Sequence, residues 1–98
     1  MVNKQSDKEE VGSRVRLLRE ALGIRQGVFA ARIGVAPNLL ANVEAGGNYP
    51  NPKLAATICS EFGVTMDWLF RGVRAGVSSD VAQRIVAFEA KAPTDSPQ

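Results

Sequence analysis

The chain has 98 residues, of which 45% are apolar and 22% are charged, and its formal net charge is +2. This length suits one domain with one modest core, and the composition is that of a soluble globular protein. With one cysteine and no histidine, the chain lacks the means for an internal disulfide, a zinc site or histidine-based catalysis, so we expect no enzyme, no metal and no cofactor.

A long amphipathic helix is predicted first, over residues 7–22, and Gly23 is the kind of residue that ends one. Its apolar side chains recur at helical spacing, at Val11, Val15, Leu18 and Leu22. Ser6 and Glu9 have the spacing of a capping box at its start. The polar, mixed-charge segment Met1–Glu10 is unlike a secretory signal, and no apolar run approaches the roughly 18 residues that cross a bilayer. We therefore expect a cytoplasmic protein.

Two short helices separated by a glycine turn come next. Phe29, Ala30 and Ile33 are spaced as the buried face of a helix over residues 26–33. Gly34 ends that helix, and Pro37 suits the first turn of another over residues 37–45. Residues 26–45 thus have the pattern of a helix-turn-helix motif, which simple helix-packing units also share.

Further helices are predicted over residues 52–62, 66–70 and 80–91. Asn51 and Pro52 suit the N-cap and first turn of one of them, and Cys59 has the setting of a small buried side chain. No convincing strand pattern is present, so the predicted class is all-α. We expect a domain over residues 1–72, a linker with a C-terminal helix over 73–92, and a disordered tail over 93–98.

Residues 14–72 resemble the phage-repressor/Cro class of helix-turn-helix domains, the XRE family. The resemblance is carried by the ordered set RVRLLRE at 14–20, GIRQ at 23–26, Phe29-Ala30, IGV at 33–35, VEAG at 43–46, Pro50 and FGVTMDWL at 62–69. It implies a five-helix lambda-repressor-like DNA-binding domain, here with an extra C-terminal helix. It also implies a sequence-specific transcriptional regulator, most simply a repressor, that binds double-stranded DNA.

In that family the third helix lies in the major groove. The resemblance assigns base reading to Pro37, Asn38, Leu39 and Asn42, with Gln26 at the start of the second helix. Gln26 also matches a residue that contacts both a phosphate and the neighbouring recognition side chain. It assigns phosphate contacts to Arg25, Asn48, Tyr49, Asn51 and Lys53, with further ones expected from Arg14, Arg32 and the main-chain N–H groups of Gly46 and Gly47. Asn and Gln side chains can pair with adenine, and Leu39 suits a thymine methyl group.

The same resemblance implies an ion pair between Arg19 and Glu44 that ties the first helix to the third. It also implies a homodimer on a near-palindromic operator. The surfaces available for dimerisation are the fifth and sixth predicted helices, with Trp68, Phe70, Val81, Ile85 and Phe88. The last helix could equally pack on its own domain.

The predicted recognition helix departs from the family because it carries no basic residue, and neither does the loop that follows it. Phosphate neutralisation dominates DNA affinity, so we expect weak binding by a monomer. An apolar third helix also leaves a second hypothesis open. The chain could be a protein-interaction module, antitoxin-like or antirepressor-like, on the same fold with little DNA readout.

Overall fold

A computed structural model describes residues 4–91, which form six α-helices and no strand. The helices are α1 (Lys4–Ala21), α2 (Gln26–Ile33), α3 (Pro37–Glu44), α4 (Pro52–Phe62), α5 (Met66–Arg71) and α6 (Ser79–Lys91). The all-α class, with five helices and an additional C-terminal one, is therefore confirmed. The tail over residues 93–98 that was predicted to be disordered lies outside the described residues.

The start of α1 is the one boundary that differs by a full turn from its prediction. The helix begins at Lys4, so Ser6 lies within it and the predicted capping box is wrong. The residues of this first turn favour the helix because Lys and Gln have high helix propensity. The ends of the other helices agree with their local signals, as at Asn51, whose side chain accepts a hydrogen bond of 2.8 Å from the Leu54 N–H.

A single core lies between the helices and includes residues from all six of them. Trp68 is almost completely buried in it, and the rings of Phe29 and Phe62 stack with their centroids 4.5 Å apart. Helix α1 lies at the centre and contacts α3, α5 and α6. Val81 and Ile85 of α6 are buried in this same core, so the last helix packs on its own domain and the core extends across the predicted boundary at residue 72.

Helices α1 and α3 approach each other most closely at Gly12. A Cβ atom at this position would collide with the Val43 carbonyl oxygen and would lie 3.1 Å from that of Glu44. These oxygens belong to the backbone and cannot move aside as a flexible side chain can. Gly12 is therefore required for the close packing of α1 against the end of α3.

We expect Gly12→Ala to destabilise the protein by about 1–3 kcal/mol, which is typical of overpacking. Helix propensity alone predicts the opposite change in stability, because it favours Ala over Gly by about 1 kcal/mol. Chemical denaturation measures the change in unfolding free energy. Gly27→Ala on α2 is the matched control, because a Cβ there meets nothing within 4 Å. Equal stability of the two variants would contradict the close-approach account.

No helix among residues 4–91 is long and apolar enough to span a membrane. The same residues include no cluster of three or more His, Cys, Asp or Glu side chains able to hold a metal ion.

Cys59 is half-buried on α4, and this burial raises the pKa of its thiol because the thiolate loses hydration. The thiol therefore stays protonated over a wider pH range than a free cysteine does.

Candidate nucleic-acid interface

Helices α2 and α3 are joined by a tight turn centred on Gly34. Gly34 adopts φ 78°, a left-handed conformation that glycine enters without strain. Its N–H donates to the Ala31 carbonyl over 3.2 Å, and the Val35 N–H donates to the Ala30 carbonyl over 3.0 Å. These bonds close α2, and Pro37 begins α3 three residues later. The residues of this turn therefore join α2 and α3 into a helix-turn-helix unit.

The predicted base-reading residues of α3 all lie on its solvent-facing side. Pro37, Asn38, Leu39 and Asn42 are exposed, while Leu40 and Val43 face the core. Asn38 and Asn42 are one helical turn apart and so share a face. The structure therefore presents two carboxamides and one leucine together on an outward surface.

Asn42 is exposed but not free of contacts. Its side-chain carboxamide lies directly over Gly47 in the loop after α3, where a Cβ atom would collide with it. A glycine at position 47 thus allows the Asn42 carboxamide to rest against the loop backbone. The position of this candidate base reader depends on the loop as well as on α3.

Arg19 and Glu44, the predicted ion pair, lie together between α1 and the end of α3. The guanidinium donates to both carboxylate oxygens, over 2.7 Å from Nε and 3.0 Å from Nη2. Its Nη1 donates to the Ile24 carbonyl over 3.0 Å. The hydrogen bonds to Glu44 hold the pKa of Arg19 above its ordinary value, aided by the charges of Glu44 and Glu20 and opposed by burial.

Gln26 joins this cluster from the first turn of α2. Its Nε2 donates to the same Glu44 oxygen, Oε1, over 3.1 Å. Gln26 is half-buried, whereas the α3 candidates are exposed. The link between Gln26 and Glu44 is a feature that no periodicity or motif in the sequence indicated.

We expect Arg19→Ala to lower the free energy of unfolding by about 3–5 kcal/mol. The side chains of Arg19 and Glu44 are only 12% and 5% exposed, so the variant leaves the Glu44 carboxylate buried without its cation. Thermal and urea denaturation measure the loss. Arg16→Ala is the control on the same helix, because Arg16 pairs with Glu20 at 3.1 Å in solvent and should change stability by about 0.5 kcal/mol or less. Similar losses in both variants would contradict a special role for the buried pair.

Arg25 is the most available cation near the start of α2. It is exposed, and it is the one arginine among residues 4–91 that has no carboxylate within ion-pair distance. Neither α2 nor α3 has an acidic residue in its first turn. The positive ends of both helix dipoles thus have no acid of their own first turn to oppose them, which favours an anion such as phosphate.

The other predicted phosphate contacts lie on the loop after α3 and the start of α4. Asn48, Tyr49, Asn51 and Lys53 are all exposed. The Asn51 side-chain oxygen is engaged in capping α4, so its amide nitrogen is the group left to donate. Lys53 forms no ion pair among the described residues.

The two arginines expected to add phosphate contacts have other partners. Arg14 is half-buried and donates to the Leu69 carbonyl over 3.0 Å, which ties α1 to α5. Arg32 pairs with Glu61 at 3.1 Å and lies over the Phe62 ring, 4.8 Å from its centroid. Both cations therefore have partners within the fold, unlike Arg25.

The main-chain N–H groups of Gly46 and Gly47 were also expected to bind phosphate. They donate instead to the carbonyls of Val43 and Asn42, over 3.0 and 2.9 Å. These bonds close the end of α3, whose last carbonyls would otherwise lack partners. That expectation was wrong, because the two glycines act as a helix terminus.

The residues predicted to dimerise divide into two groups. The core of this chain buries Trp68, Val81 and Ile85, so these three side chains cannot contact a second copy in this fold. Phe88 is half-buried. Phe70 is 38% exposed, and its ring centroid lies 6.5 Å from that of Tyr49. The pair forms an exposed aromatic surface beside the loop that follows α3.

Comparison with known proteins agrees with this geometry. A family model described as helix-turn-helix matches residues 15–69, which is more than half of the chain and includes α2, α3, α4, the C-terminal part of α1 and most of α5. No solved structure matched the chain. The matched region contains the Gly34 turn, the Arg19–Glu44 pair and the exposed face of α3. The chain therefore belongs to the XRE/Cro-type helix-turn-helix family of DNA-binding transcriptional regulators.

Proposed function

We propose that this protein is a repressor that binds a near-palindromic operator as a homodimer. The observation that supports this most directly is the exposed polar face of α3, Asn38 and Asn42. Arg25, just before α2, adds to it, because it has no ion-pair partner among the residues that the structure describes. Domains of this type place the third helix in the major groove. Covering a promoter then blocks transcription without any further domain.

In the proposed complex the roles divide by chemistry. The carboxamides of Asn38 and Asn42 donate to and accept from adenine, and Leu39 packs on a thymine methyl group. Pro37 contacts the groove wall at the start of α3. The phosphates are held by Arg25, Asn48, Tyr49, Asn51 and Lys53. Only two of these phosphate-binding side chains carry a charge, so base contacts and dimerisation must supply much of the affinity.

The salt dependence of binding tests this proposal. With Arg25 and Lys53 in each of two subunits, about four phosphates are neutralised, and the plot of log K against log salt should have a slope of about −4. Fluorescence anisotropy with the DNA upstream of the protein's own gene measures it. Arg25→Ala should make the slope shallower by about 2, because the dimer loses two such contacts.

Arg84→Ala is the control for that measurement, because Arg84 lies on α6 and pairs with Asp80 at 3.5 Å in solvent. It should leave the slope unchanged. Absence of binding at every salt concentration would reject the repressor proposal, and an equal effect of the two variants would reject the assignment of Arg25.

The proposed dimer uses the exposed apolar surface of Tyr49, Met66 and Phe70. Met66 and Phe70 are one turn apart on α5 and both are exposed, and the Tyr49 ring lies against Phe70. This surface adjoins the loop after α3, so two copies joined through it would bring their recognition helices near one another. Exposed apolar clusters of this kind are typical of association sites.

We expect Phe70→Glu to convert the dimer to a monomer in analytical ultracentrifugation, because the glutamate places a charge in the apolar contact. Val86→Glu is the matched control: Val86 is 55% exposed on α6, away from this surface, and its replacement should leave the dimer intact. Loss of the dimer only in the Val86 variant would assign dimerisation to α6. A wild-type chain that stays monomeric, with or without DNA, would reject the dimer.

One observation favours the second candidate function, a protein-interaction module. Leu39 is 43% exposed on a recognition helix without basic residues, and it lines a groove of about 280 Å³ with Tyr49, Pro50 and Leu54. In this case a partner protein would occupy the groove. The same DNA-binding measurement separates the two functions, because the module should bind no duplex at low salt.

A further inference from the structure

Gly47, in the loop after α3, lies against the side chain of Asn42. A Cβ atom at position 47 would collide with Asn42 Oδ1 and would lie 3.0 Å from its Cγ. Asn42 is exposed on α3, the helix that domains of this family place in the major groove. One small volume of space is thus open to either side chain, and a glycine at position 47 leaves it to Asn42.

The requirement for glycine at position 47 is steric and not conformational. Its neighbour Gly46 has φ 84°, a left-handed conformation that other residues adopt only with strain, but Gly47 is not among the glycines with positive φ. An alanine can therefore adopt the backbone of Gly47 and adds only its Cβ atom. The three atoms nearest to that Cβ all belong to Asn42, so the effect of the substitution falls on this residue.

The loop backbone is held in place, so the side chain of Asn42 must give way to such a Cβ atom. The Gly47 N–H donates to the Asn42 carbonyl over 2.9 Å, and the Gly46 N–H donates to the Val43 carbonyl over 3.0 Å. Glu9 of α1 lies against Gly46 from the other side. The Asn42 carboxamide, by contrast, is the end of an exposed side chain and can rotate about its χ angles.

Rotation of the Asn42 side chain would change what it can contact on DNA. A side-chain amide that reads a base needs its hydrogen bonds at about 2.7–3.2 Å, with angles close to linear. Rotation about either χ angle moves both polar atoms of the carboxamide. Asn38, one helical turn earlier on the same face, would keep its place. The change would therefore affect one base pair and leave the other contacts of α3 intact.

We propose that Gly47 is a specificity-determining residue: the absence of a side chain there sets the position of the Asn42 carboxamide, and thereby the preference at the base pair that Asn42 reads. This inference rests on the proposed function, in which the exposed face of α3 meets DNA. Gly47 acts through Asn42 and is a positioning residue. The proposal also gives a reason for the uncharged loop, because any side chain at position 47, a basic one included, would enter the space of the carboxamide.

The experiment is selection of bound duplexes from a random pool by four full-length chains: the wild type, Gly47→Ala, Asn42→Ala and the double variant. The Asn42→Ala chain identifies the base pair that Asn42 reads, as the position that loses its preference. The double variant is the matched control, because without the carboxamide the added Cβ atom no longer has a side chain to displace. Such a cycle separates an effect that acts through Asn42 from one that does not.

For the wild type we expect the preferred base at this position to be favoured by about 5- to 150-fold, the usual range for a good side-chain amide contact. For Gly47→Ala we expect this preference to fall below about threefold, with the other positions of the site unchanged. The double variant should match Asn42→Ala. An unchanged preference in Gly47→Ala, equal weakening at all positions, or a further effect of Gly47→Ala in the Asn42→Ala chain would overturn the proposal.

Two measurements without DNA test the contact itself. The melting temperature of Gly47→Ala should differ from that of the wild type by no more than about 4 °C, as for other surface substitutions. A larger loss would show that the loop backbone gives way in place of the side chain, and would overturn the proposal.

The side-chain amide resonances of Asn42 should shift in Gly47→Ala, because the carboxamide leaves its place against the loop. Unshifted resonances would refute the contact, whatever the chain does with DNA. A wild-type chain that selects no duplex would refute the proposed function, and this inference with it, even where the resonances shift.

Discussion

The guanidinium of Arg19 is the group on which the helix-turn-helix unit depends. It joins α1 to the end of α3 through Glu44 and to the segment before α2 through the Ile24 carbonyl. A buried carboxylate is costly unless it is paired, and it would be costlier still beside DNA, where it adds to the phosphate charge. Arg19 neutralises Glu44 locally, so the acid can organise the motif without repelling the polyanion. The glycine at position 12 brings α1 close enough to the end of α3 for this to occur.

Pairing of charged side chains within the fold also explains why few of the 12 basic residues are available to the proposed DNA face. Arg14 and Arg32 hold helices together. Arg71 and Arg84 pair with carboxylates of their own helices, and Arg74, in the segment between α5 and α6, pairs with Glu89 of α6. The net charge of the chain is therefore a poor guide to its DNA face. In the proposed complex, the electrostatic part of DNA binding comes largely from Arg25, Lys53 and the dipoles of α2 and α3. On the proposed dimer model, affinity depends on base contacts and on pairing of two subunits, so occupancy of an operator would depend steeply on protein concentration.

The parts of the fold that the sequence predicted are those with local causes. The end of α2 and both ends of α4 agree with prediction because Gly34, Asn51 and Gly63, the residues at those ends, act through their own backbone or the adjacent turn. The Gly12 contact, the bond from Gln26 to Glu44 and the burial of α6 depend on which helix faces which in three dimensions. Periodicity shows that Val81 and Ile85 form an apolar stripe, but it does not distinguish a stripe that meets α1 from one that meets a second chain. The base-reading assignments at Asn38 and Asn42 are still predictions, because exposure permits contact with DNA without demonstrating it.

The loop between α3 and α4 connects the two proposed contacts of this protein. At one end Gly47 supports the carboxamide of Asn42, a candidate base reader, and next to it Tyr49 lies against Phe70, the proposed dimer contact. Asn48 alone lies between Gly47 and Tyr49 in the chain. In the proposed dimer, a shift of the Tyr49 ring would therefore be transmitted through a very short stretch of backbone. Movement of this loop is restricted at Gly46, because the Gly46 N–H donates to the Val43 carbonyl and Glu9 lies against Gly46. In the proposed dimer, pairing of subunits would thus also fix the position of Asn42, and affinity and specificity would rise together.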